Sequence, residues 1–221
     1  MPDRTYVSFW THDRSEATRL DRFERLLDTV PRSKEHPGFA SLTIRALSPS
    51  EAPLAEHDFR GVLAGAAEIL ALAREFQADD VQYEVEAFWD IWEREPDEGR
   101  WKRQPERLLL TCAGEAFEGG FEDGNLVADV GFEHFYTGHA GILGAHGARS
   151  APSDPVEAEF LALMTHEPLL HEYYERTRGN IQQLLGWVRT AETAMPIEHY
   201  RLWSEGEENF EARLDEILAA H

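Results

Sequence analysis

Apolar and polar side chains alternate without a break over residues 81–92. Val81, Tyr83, Val85, Ala87, Trp89 and Ile91 fall on one side; Gln82, Glu84, Glu86, Phe88, Asp90 and Trp92 fall on the other. A period of two is that of a half-buried strand. Residues 107–117 and 126–136 carry the same pattern, and Gly119-Gly120 and Asp123-Gly124 mark the turn between them. Short links favour antiparallel pairing over crossovers. Residues 94–105, with Pro96, Gly99 and Pro105, read as a polar loop.

The N-terminal third reads as strand, helix, strand. Residues 5–11 place Tyr6, Ser8 and Trp10 opposite Val7 and Phe9. Asp13 and Glu16 have capping-box spacing before a helix with Leu20, Phe23, Leu27 and Val30 on one face, ended by Pro31. Residues 39–47 alternate, with Ala40, Leu42, Ile44 and Ala46 together. Residues 48–57 read as a loop, and 59–77 as a helix with a wide apolar stripe from Val62 to Phe76.

After residue 137 the texture changes. Gly138, Gly141, Gly144 and Gly147 recur at every third position, and residues 138–155 read as a Gly/Pro-rich loop. Helical spacing returns at 155–164, 169–190 and 207–220, with Pro196 as an interruption. These elements predict an α+β fold. An antiparallel or mixed sheet occupies residues 1–137, with covering helices, and a helical region occupies 156–221. The repeated strand-helix-strand pattern is compatible with a ferredoxin-like arrangement.

Composition narrows the function. The chain has 221 residues, 42% of them hydrophobic, enough for a sizeable core. Its formal charge is −21. Residues 1–60 hold 9 basic and 10 acidic side chains, so the acidity belongs to the rest. That balance argues against nucleic acid and anionic membrane as partners, because both would repel it. It suits a basic protein or a small cationic ligand. No apolar run is long enough to span a bilayer, and the N-terminus lacks the pattern of a signal peptide. With one cysteine, Cys112, no intrachain disulfide forms, and a cytoplasmic location is expected.

Two constellations could carry chemistry. If the three strands form a meander, Glu84, Glu86, Glu115, Asp129 and Glu133 share a face with Phe88, Trp92, Phe117 and Phe135. Glu84, Glu86 and Asp129 are then the acid/base candidates. Carboxyls crowded in this way raise one another's pKa. The bland reading of that face is ordinary outward polarity. The second constellation is Glu133, His139 and His146, a carboxylate and two imidazoles able to converge on a metal from a loop.

Other motifs give less. In THEPLLHE the histidines are five apart, so they do not share a helix face as a zincin requires; a helix start near Glu167-Pro168 fits better. The glycine series lacks the Lys-Ser/Thr of a phosphate loop. Cys112 falls on the inferred core side, where a thiol is inert. Trp101 lies among Arg100, Lys102, Arg103 and Arg107, a cluster expected to tie its loop to the acidic sheet. The sequence favours a non-enzymatic binding protein for a cationic partner or small ligand. The alternative is a small-molecule enzyme performing metal-assisted hydrolysis, with its cofactor unspecified.

Overall fold

The computed structural model describes residues 2–12, 15–95, 100–120, 123–143 and 155–220. Seven strands form one antiparallel sheet in the order β3-β2-β4-β5-β6-β1-β7. They are β1 (Arg4–Thr11), β2 (Ser41–Ala46), β3 (Ala55–Asp58), β4 (Val81–Arg94), β5 (Trp101–Ala113), β6 (Leu126–Phe132) and β7 (Ile197–Ser204). The helices are α1 (Glu16–Asp28), α2 (Ala66–Ala73), α3 (His134–Thr137), α4 (Pro155–Leu163), α5 (Glu167–Ala194) and α6 (Phe210–Ala219). The fold is α+β, with helices covering the sheet.

The alternation along β4 decides which side is covered. Val81, Tyr83, Val85, Ala87, Trp89 and Ile91 are buried, and the intervening residues are half-buried. The inward residues of β1, β2, β5 and β6 join them. Leu20, Phe23 and Leu27 of α1, Ile69 and Leu70 of α2, and Ile181, Leu184 and Trp187 of α5 pack into the same core. Trp187 meets Phe9 and Trp89 edge-on at 6.0 Å, and its Nε1 donates to Thr29 Oγ1 at 2.9 Å. Edge-on contacts are the favoured geometry for aromatic rings in a core. Cys112 lies in this core, fully buried.

Several elements differ from their sequence expectation. The helix over 59–77 shortens to α2 and a 3-10 turn, Arg74–Phe76. Gly61 at φ +87° breaks the first turns, and the Glu68 carboxylate accepts the Gly65 N–H at 2.7 Å to start the helix there. Val62 and Leu63 are therefore exposed, not part of an apolar stripe. Part of the loop over 48–57 becomes β3, which pairs with the free edge of β2. The loop over 94–105 shrinks because β5 pairs with β4 out to Trp101 opposite Arg94. Pro105 is tolerated there: β6 pairs with β5 along Leu109–Cys112, short of Pro105. Strand β6 stops at Phe132, next to Gly131 at φ +107°. The capping-box Asp13 lies outside the described residues; Ser15 stands at the N-cap.

Residues 156–221 contribute a strand as well as helices. Strand β7 pairs antiparallel with β1, from Thr5 opposite Ser204 to Thr11 opposite Ile197. Three strands, β4, β5 and β6, lie between β2 and β1, whereas β3 and β4, joined through α2, flank the single strand β2. Among the described residues no helix is long and apolar enough to cross a membrane.

Candidate functional site

The three acid/base candidates, Glu84, Glu86 and Asp129, are each engaged by a cation or an amide. Glu84 accepts from Gln82 Nε2 at 2.8 Å and lies 3.7 Å from Arg45. Glu86 pairs with Arg107 at 2.8 Å. Asp129 accepts from Arg4 Nε at 2.6 Å and from the Gly131 N–H at 3.1 Å. Glu86 and Asp129 share a row, but Leu109 stands between them as the cross-strand partner of both. Two strand spacings, about 10 Å, separate their backbones. The five-carboxylate surface is reduced further because β5 ends at Ala113. Glu115 lies beyond it, and Phe117 and Phe135 are buried.

Glu133 and His139 make different contacts beyond the end of β6. Glu133 begins the short α3, and its carboxylate accepts a hydrogen bond from Ser204 Oγ on β7. Gly138 at φ +79° turns the chain into a 3-10 turn, His139–Gly141. The His139 ring there stacks on His134 at 4.2 Å. His146 lies outside the described residues. Among the described residues no three His, Cys, Asp or Glu side chains are grouped to hold a metal ion.

A cleft of about 670 Å³ opens beside that histidine pair. It is built from four segments of the chain. Helix α5 supplies Tyr173, Thr177 and Asn180, which share one helix face at spacings of four and three. The tip of the β4–β5 hairpin supplies Trp92, Glu93, Arg94 and Trp101. His134, Phe135 and His139 close one side, and Phe160 and Leu163 of α4 close another. The volume lies within the range of small-molecule sites, about 300–1,000 Å³.

Rings run along the wall in an unbroken series. Trp101 meets Tyr173 at 5.3 Å, Tyr173 meets Phe160 at 5.4 Å, Phe160 meets His139 at 5.7 Å, and His139 meets His134. The Tyr173 hydroxyl accepts the His139 N–H at 2.8 Å, tying the turn to α5. Burial raises the Tyr173 phenol, so it stays protonated. Burial, helped by the neighbouring imidazole, lowers His134 to about 3. His139 is more exposed than His134 and is lowered by the same desolvation. Both rings are neutral at pH 7. Glu93 is raised by burial and has no hydrogen-bond or ion-pair partner among the described residues. Arg94 and the acidic Glu157 and Glu159 complete the charged lining.

The arrangement can hold an apolar body against rings and offer the half-buried carboxylate of Glu93, partnerless among the described residues. The Cys112 thiol is not available as a nucleophile: burial pushes it up to about 12. The basic cluster near Trp101 ties the hairpin to its surroundings, as its charge suggests. Lys102 pairs with Glu95 at 3.3 Å, and Arg103 donates to the Asp90 carbonyl and to Gln183. Trp101 itself turns to Tyr173, a role missed when its segment reads as loop. The sequence did carry one signal, the polar Thr177 and Asn180 set in the apolar seam of α5 and buried there. No family model, no curated protein and no solved structure matches this chain.

Proposed function

We propose that this protein is a non-enzymatic binding protein that takes a small organic ligand into the α4–α5 cleft. The observation that carries the reading is the run of aromatic rings beside Glu93, whose carboxylate has no partner among the described residues. Apolar lining with a few placed polar groups is the usual make-up of a ligand pocket. The acid/base candidates Glu84, Glu86 and Asp129 support this choice indirectly, because each already has a cation beside it within the fold. The location that goes with it is the cytoplasm, in keeping with a single thiol that is buried.

The test uses N-phenyl-1-naphthylamine, a neutral probe whose emission rises in apolar surroundings. The expected result is saturable binding with a blue shift, transfer of excitation from tryptophan, and weakening of about five-fold or more in Phe160→Ala. That substitution removes a ring from α4, which has no fully buried residue, so the fold tolerates it. Absence of saturable binding, or equal binding by Phe160→Ala, overturns the proposal.

A further inference from the structure

We infer that the ligand of this cleft is an organic monocation with a flat apolar body, its ammonium or amidinium group facing Glu93. The inference rests on the small-ligand reading above and adds the chemical class. A carboxylate taken partly out of water with no partner incurs a desolvation penalty that a bound cation offsets. The rings beside it present negative π-faces, which attract cations. The protein already uses that interaction at the cleft edge, where the Arg176 guanidinium sits 4.0 Å from the centre of the Trp92 ring. The histidine pair is uncharged and does not repel a cation. Arg94 opposes the choice, but Arg176 is already paired with Glu172 at 3.3 Å, and Glu93 and Glu159 outnumber Arg94 in the lining. The formal charge of −21 draws cations toward the surface at large.

The experiment compares three probes with one shape: 1-naphthylmethylammonium, 1-naphthylmethanol and 1-naphthoate, titrated calorimetrically into the full chain at low salt. The ammonium is expected to bind about ten-fold more tightly than the alcohol, and the carboxylate most weakly. Glu93→Gln is expected to bring the ratio of ammonium to alcohol affinity down to about one. Equal binding of ammonium and alcohol, or tighter binding of naphthoate, overturns the cation inference and leaves the small-ligand reading standing. An ammonium preference that survives in Glu93→Gln overturns it too, because the anchor is then elsewhere. Failure of all three probes, with failure of the neutral fluorescent probe, overturns both. Should Glu93→Gln not fold, the wild-type order of ammonium and alcohol decides.

Discussion

Asn180 of α5 completes the free edge of β4 at Trp92. Its Oδ1 accepts the Trp92 N–H at 2.8 Å, and its Nδ2 donates to the Trp92 carbonyl at 3.0 Å. The same Nδ2 donates to the Phe135 carbonyl at 3.0 Å. Strand β2 pairs with β4 no further than Glu86, so the backbone beyond has lost its neighbouring strand. One side-chain amide does the work of a strand residue, and it fixes α5, the hairpin and α3 around the cleft.

Replacing this amide is expected to cost more than a surface mutation. Asn180→Leu keeps the branched shape and leaves the Trp92 N–H and two carbonyls without their partner. The expected loss is about 2–4 kcal/mol, the range for unsatisfied buried backbone groups. Urea unfolding checks the figure, and a midpoint equal to the wild type would contradict the bridging role.

Glu106 and His134 give the stability opposite slopes with pH. Burial raises Glu106 from 4.5 to about 7, so between those values the folded state holds more protons than the unfolded one. That contribution weakens the fold as pH rises from 4.5 through 7. His134 lies at about 3 when folded and 6.5 when free, so the unfolded state holds more protons in that window. That contribution weakens the fold as pH falls from 6.5 toward 3. Glu106→Gln is expected to add about 1 kcal/mol at pH 7.5, after allowance for solvent screening, and nothing at pH 4. Unfolding series at four pH values read this directly. A variant whose profile parallels the parent throughout contradicts the assignment to Glu106.

Two glycines are expected to respond oppositely to alanine. A Cβ on Gly114 would lie 2.0 Å from the Asp79 carbonyl oxygen and 2.3 Å from Arg19, so the β5 end must shift to admit it. Gly186 lies within α5 and a Cβ there meets nothing within 4 Å. Gly186→Ala should stabilise by about 0.5–1 kcal/mol through helix propensity and a less flexible unfolded chain. Gly114→Ala should destabilise by about 1–3 kcal/mol through overpacking. Thermal melts of the two single variants settle both signs.

The sequence by itself determined the α+β class, the meander of β4, β5 and β6, the inward and outward residues of β4, and the helical character of the C-terminal part. Those properties are local: a period of two or 3.6 residues is written into a short window, and burial of one face follows. It also determined the acidity and the absence of a reactive thiol. Tertiary structure decided the rest. Strand β7 has one fully buried apolar residue, Leu202, so it shows no alternation and forms because β1 offers it an edge. Glu133 and His139 are six residues apart, yet their contacts, Ser204 for Glu133 and Tyr173 for His139, come from elements distant in sequence. The cleft joins Glu93, Trp101, His134, Phe160 and Tyr173 from segments with no shared period. Their juxtaposition comes from long-range packing of α4 and α5 against the hairpin, which no local window of sequence records.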